Sequence, residues 1–127
     1  MRKLVYNQPD ILSVKYTADP LEALTAPLIT PTVTMGQITD CTMNLKIDTE
    51  TDADDAYLQK LRSAGGVTTD PVDYRFDMHV MDTDFGNLIM GTTYTLVLAA
   101  QVPGYTNMLE LDMAHSAIMV VPDKNRA

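Results

Sequence analysis

Apolar and polar residues alternate with period two along much of this chain, the spacing of a strand with one face turned inward. In residues 41–48, CTMNLKID, Cys41, Met43, Leu45 and Ile47 take the inward face, and Thr42, Asn44, Lys46 and Asp48 the outward one. Residues 74–81, YRFDMHVM, repeat this, with Tyr74, Phe76, Met78 and Val80 inward and Arg75, Asp77 and His79 outward. Residues 94–102 place Tyr94, Leu96, Leu98, Ala100 and Val102 on one face; Val97 and Ala99 on the other predict a strand covered on both sides. A turn at Pro103, Gly104 and Tyr105 precedes MLELDMA (108–114), which alternates through Leu109, Leu111 and Met113, and AIMVV (117–121) closes the series before Pro122. The pattern predicts a mainly β chain: a single antiparallel β-sandwich over residues 38–122, with a short C-terminal tail over 123–127.

Two stretches depart from that pattern. TDADDAYLQKLRSAGG (51–66) reads as a short α-helix over about residues 52–63, inserted at one edge of the sandwich. Thr51 or Asp52 would be its N-cap, acids fill its first turn, Lys60 and Arg62 its last, and Gly65 and Gly66 stop it. Tyr57 and Leu61, four apart, with Leu58 beside them, form its apolar stripe. Residues 1–37 are broken by Pro9, Pro20, Pro27 and Pro31 into short apolar pieces. ILSVKYT and TVTMGQI each read as a strand, with Val14 and Tyr16, then Val33 and Met35, inward. The region reads either as an extended N-terminal arm across a neighbouring surface or as edge strands and a loop.

Composition narrows the partners. A length of 127 residues with 46% hydrophobic and 20% charged residues suits one domain with a real core. Nine basic against 17 acidic residues give a net charge of −8, which disfavours nucleic acid and anionic membranes as partners. A single cysteine, Cys41, excludes an internal disulfide, so the expectation is a soluble chain kept in a reducing interior until assembly. The N-terminus lacks the apolar core of a signal segment, and no apolar run is long enough to span a membrane.

The candidate chemistry is thin. Residues 82–86, DTDFG, contain the kinase D-F-G triplet without the glycine-rich loop, strand lysine or catalytic loop it needs. Asp82 and Asp84 read instead as turn formers at a strand end. Asp48, Glu50 and Asp52 have the spacing of the first EF-hand ligands, but Ala53 and Gln59 stand where that loop needs Gly and Glu. His79 and His115 are far apart, and Ser13, Ser63 and Ser116 have no nucleophile context. Cys41 shares a face with Met43 and Leu45, as a buried core thiol does. The expectation is a protein that is not an enzyme and holds no cofactor and no metal. Of the nine methionines, Met81, Met90, Met108 and Met119 fall less clearly inside and would mark a contact surface.

In LIMGTTYTLVLAAQV (88–102), a Gly, a short spacer and a Tyr at the head of an alternating strand resemble the corner before the penultimate strand of immunoglobulin-like domains. The resemblance implies that Gly91 makes the bend and that the Tyr94 hydroxyl bonds back to the preceding corner. Two residues, Thr92 and Thr93, separate Gly from Tyr, and Trp and a cysteine pair are lacking, so antibody-type domains are not implied. With its acidic chain, Thr-rich N-terminal region and closing VVP, the sequence is similar in style to small Ig-like sandwich domains of tailed-bacteriophage virions, including capsid decoration (cement) and head or tail accessory proteins. The resemblance implies a viral structural protein located in the virion, bound to the major capsid protein or another virion protein on the outer shell. A homo-oligomer, such as a trimer, fits that role. Leu4, Val5, Tyr6, Ile11, Leu28 and Ile29 are the expected partner-binding residues on the arm. The alternatives are a phage tail or head–tail connector component, and a ligand- or carbohydrate-binding module using Asp82, Asp84 and Asn87.

Overall fold

In the computed structural model, residues 2–15, 34–47, 56–104, 106–110 and 116–123 are described. They form nine strands: β1 Arg2–Val5, β2 Asp10–Lys15, β3 Cys41–Lys46, β4 Leu58–Leu61, β5 Val67–Asp70, β6 Arg75–Val80, β7 Thr93–Ala100, β8 Leu109–Glu110 and β9 Ser116–Val121. Sheet one has the order β1-β9-β7-β3-β4, with β8 also on β7; sheet two has the order β2-β6-β5. The two sheets share one hydrophobic core. Its inward rows come from the period-two pattern. Leu45 lies opposite Leu96 and Met43 opposite Leu98, while Leu12 lies opposite Met78 and Val14 opposite Phe76, all buried.

Among the described residues every strand pair is antiparallel except one: β1 runs parallel to β9, from Arg2 beside Ile118 to Val5 beside Val121. The chain then turns through Asn7, which takes φ 64°, and enters sheet two as β2. A crossing between sheets frees β1 from the hairpin geometry that would force it antiparallel.

Residues 2–15 are therefore two strands built into the sheets, not a free arm. Leu4 is fully buried in the core. The expected strand at TVTMGQI is a 3-10 turn at Met35–Gln37, closed by the Gln37 Oε1 accepting from the Thr34 N–H at 2.9 Å. Met35 is buried, so the inward placement holds while the strand does not. Tyr16, Leu28, Ile29 and Val33 lie outside the described residues.

The expected helix over 52–63 is also corrected. Residues 58–61 are β4, with Leu58 opposite Leu45 and Lys60 opposite Met43. Main-chain bonds from Tyr57 N to Leu45 O (2.8 Å) and from Arg62 N to Cys41 O (2.9 Å) extend the ladder past both ends. The i,i+4 stripe is divided: Tyr57 packs its ring on Tyr94 at 5.4 Å, and Leu58 joins the core edge. Pairing to a distant strand outweighs a weak local helix preference. The proposed cap and first-turn acids, residues 51–55, lie outside the described residues. Gly65 and Gly66 do not stop a helix; they carry the chain from sheet one to sheet two. Gly65 has φ 82°, and a Cβ on Gly66 would meet Lys60 Cδ at 2.9 Å.

Another departure concerns β3. Thr42, Asn44 and Lys46 alternate outward, yet all are buried, Asn44 and Lys46 each to 6% exposure. Val97 of β7 is buried on the same side. The central pair β3–β7 is thus covered on both faces. Asn44 Nδ2 reaches Thr42 Oγ1 at 3.4 Å, while Asn44 Oδ1 is left without a hydrogen-bond partner.

Candidate functional site

The connection between β6 and β7, residues 81–92, gathers the features that bear on function. It opens with a 3-10 turn at Asp82–Phe85. Asp84 Oδ2 accepts from the Met81 N–H at 2.7 Å and pairs with Lys60 Nζ at 2.6 Å. Both side chains are mostly withdrawn from solvent, so this carboxylate ties the corner to β4 and is not free for a ligand. Phe85 is buried and meets the Tyr6 ring edge-on at 5.3 Å.

The corner closes on Gly91 and Tyr94. Gly91 takes φ 84°, a conformation only Gly adopts without strain, and its N–H donates to Val120 O at 2.7 Å. Tyr94 is buried, and its hydroxyl accepts from the Ile89 N–H at 2.9 Å, five residues back. Phe85, Leu88 and Tyr94 anchor the segment inward. Held by those anchors, Met81, Ile89 and Met90 point outward at 51%, 62% and 52% exposure. Met81 also borders a shallow groove of about 440 Å³, lined with it by Pro9, Asp10, Ile11, His79 and Val80. Ile11 is about half exposed there. One connection thus presents three exposed large apolar side chains, a feature suited to burial against another surface.

The expected partner residues scatter across the fold. Leu4 is inside the core, Val5 and Tyr6 are half-buried, and Ile11 alone of the described ones faces outward. Of the expected tail, Asp123 is described, and its Oδ2 accepts from Gln8 Nε2 at 2.9 Å. The patch at Ile89 escaped sequence reasoning because exposure of a corner residue depends on which neighbours take the inward positions. Met81 and Met90 were recognisable as positions off the core alternation.

Other chemical groups serve structure. Arg75 Nε reaches both oxygens of Asp77 at 2.9 and 3.0 Å, and its other nitrogens approach Asp70 at 3.5 Å and Asp73 at 3.4 Å. Ser13 Oγ donates to the same Asp77 at 2.6 Å. The hydrogen bond and charge of Asp77 raise the Arg75 pKa further above its ordinary value, so the guanidinium is a fixed cation on the outer face of sheet two. His79 shares a 2.7 Å contact with Thr68 Oγ1. Cys41 is buried, and burial pushes its thiol up to about 11, with Arg62 pulling it down and Asp40 pushing it up; a thiolate nucleophile is disfavoured. Among the described residues no three His, Cys, Asp or Glu side chains converge as a metal site. Asp48, Glu50 and Asp52 lie outside those residues.

No protein-family model matches the chain, and a search of curated proteins finds no significant match.

Proposed function

We propose that this chain is an immunoglobulin-like sandwich with a structural, non-catalytic role in a tailed-phage virion, bound to the outer capsid surface as a decoration or cement protein. What supports the immunoglobulin-like reading is the strand order, three strands β2-β6-β5 facing β9-β7-β3, together with the Tyr94 hydroxyl bond at the head of β7. The binding reading is carried by one observation: the β6–β7 corner is pinned by buried anchors yet presents Met81, Ile89 and Met90 to solvent. Burying these apolar side chains removes exposed area from water, with some loss of rotamer freedom at the two methionines, and a lattice of identical subunits multiplies weak contacts into firm attachment. This reading favours the corner over the N-terminal segment as the contact surface, because Leu4 of that segment is buried in the core. A carbohydrate module based on Asp84 has less support, because that carboxylate is already engaged by Lys60 and the Met81 N–H.

The test is quantitative mass spectrometry of virions made by the virus that encodes the chain, followed by rebinding of purified protein to stripped shells. Many copies per particle, with rebinding reduced about tenfold or more by combined Met81→Asp and Ile89→Asp changes that leave the fold intact, is the expected result. Absence from virions removes the reading.

A further inference from the structure

We propose that the edge of β2 on which no described strand pairs is a docking site for an extended strand from another protein, with one apolar side chain of that strand seated in the cavity between the two sheets. The proposal deepens the binding reading above and rests on it for the partner's identity alone.

The hydrogen-bond directions of sheet two identify the edge. His79 gives its main-chain N–H to Gly66 O at 3.0 Å, on the side of β5. Alternate residues of a strand send their main-chain groups to the same side, so Arg75, Asp77 and His79 bond toward β5. Their cross-strand partners Lys15, Ser13 and Ile11 therefore turn their main-chain groups away from β6. Ile11 bears this out: its N–H donates to Asp10 Oδ1 at 2.8 Å, and its carbonyl accepts from Arg2 Nη2 at 3.3 Å. The Arg2–Asp10 ion pair, at 2.7 Å, blocks that end of the edge. Ser13 and Lys15 are exposed, and among the described residues no strand pairs there. An open run of N–H and C=O groups is a template for strand addition.

A cavity of about 250 Å³ opens between the sheets, lined by Arg2, Ile11, Leu12, Ser13, Leu96 and Ile118. Its floor is core: Leu12, Leu96 and Ile118 are all buried side chains. A strand laid along β2 would direct alternate side chains into this cavity, and it has room for one large aliphatic group.

The cavity also decides the kind of occupant. A second copy of this chain pairing β2 to β2 would bring Leu12 and Val14 inward, but those side chains are already buried in their own core. They cannot fill a neighbour's cavity without vacating their own. The occupant fitting both edge and cavity is a segment with no core of its own: an extended tail or loop, apolar at alternate positions.

The experiment uses the full chain, isotope-labelled, and a capped nonapeptide alternating Thr and Leu, with a Thr–Lys peptide as control. The expected result is amide exchange at Ser13 and Lys15 slowed about tenfold or more by the Leu peptide, with shifts at the Leu96 and Ile118 methyls. Ser13→Pro removes an edge N–H without touching the β6 ladder, so it should abolish the effect. Ser13→Ala loses the same Asp77 bond but keeps the N–H, and should preserve it. Peptide binding unchanged in Ser13→Pro, or no protection by the Leu peptide, overturns the proposal. So does strong protection of Ser13 and Lys15 in the free monomer, meaning the chain fills its own edge, or protection that tracks dimer formation. Virion rebinding is measured separately, so a failed strand site leaves the capsid reading standing, and the reverse.

Discussion

The two sheets are written in the same alternating code and end in different environments. In β3 of sheet one every residue is buried, from Cys41 through Lys46. In β2 of sheet two the burial alternates, with Leu12 and Val14 inside and Ile11, Ser13 and Lys15 exposed. Period two thus identifies the face turned to the shared core, but it is silent on whether the opposite face meets water or protein. Sheet one tolerates polar residues on a covered face and leaves Asn44 Oδ1 unpaired there. Sheet two gathers its charges around Arg75 on its outer face, and the one of them that is buried there, Asp77, is paired with Arg75 and Ser13.

A buried charge is the sharpest way to break this comparison. Val97→Asp places a carboxylate on the covered side of β7, where chemical denaturation should show a loss of about 3 kcal/mol or more. Ile11→Asp makes the same kind of change on the outer face of sheet two and should alter stability by about 0.5 kcal/mol or less. Equal effects would mean the two outer faces are alike.

Next in size is Leu4→Ala. As part of a free arm, Leu4 would be dispensable for folding; as a fully buried side chain of β1, its truncation should remove about 2–4 kcal/mol in the same denaturation assay.

Cys41 gives a pH-dependent test of the sheet-one interior. Its thiol keeps its proton up to about 11 when folded, against 9.0 as its ordinary value. Well below pH 9 both states are protonated and the contribution is fully present. As pH rises from about 9 to about 11 the unfolded chain ionises first, and stability falls, by on the order of 2 kcal/mol. Cys41→Ala should flatten that part of the difference between the two stability–pH curves. A parallel curve for the variant would show that the thiol ionises as readily inside as out.

Among the changes at buried positions, the smallest effect is expected at the corner. Tyr94→Phe removes the acceptor for the Ile89 N–H and should lower stability by about 1 kcal/mol, read as a shift in denaturation midpoint. Because the ring remains to anchor the segment, the outward patch at Met81, Ile89 and Met90 should be unchanged in any partner assay.

The strands at 41–46, 75–80 and 93–100 were legible because alternation over six or more residues leaves little choice of inward face. Gly91 and Tyr94 were legible for a local reason: a bend, a spacer and an aromatic at a strand head lie within four residues. The segment at 58–61 misled because Tyr57, Leu58 and Leu61 fit a helical stripe as well as a strand, and its partner Cys41–Lys46 is distant along the chain. The contact patch was half legible. Met81 and Met90 stood off the alternation, whereas nothing local marks Ile89 as exposed while Leu88 beside it is buried.

The sequence by itself determined a β-rich chain, the inward faces of its central strands, its acidic surface and the glycine bend before Tyr94, all properties of neighbours along the chain. Tertiary structure alone decided the rest. It set β1 parallel to β9, made Leu58–Leu61 a strand on β3, buried Asn44 and Lys46, and put β2 at the end of its sheet among the described residues. Each of those depends on which distant segment lies alongside, and hydrogen bonds and burial between remote segments leave no period to read in either one alone.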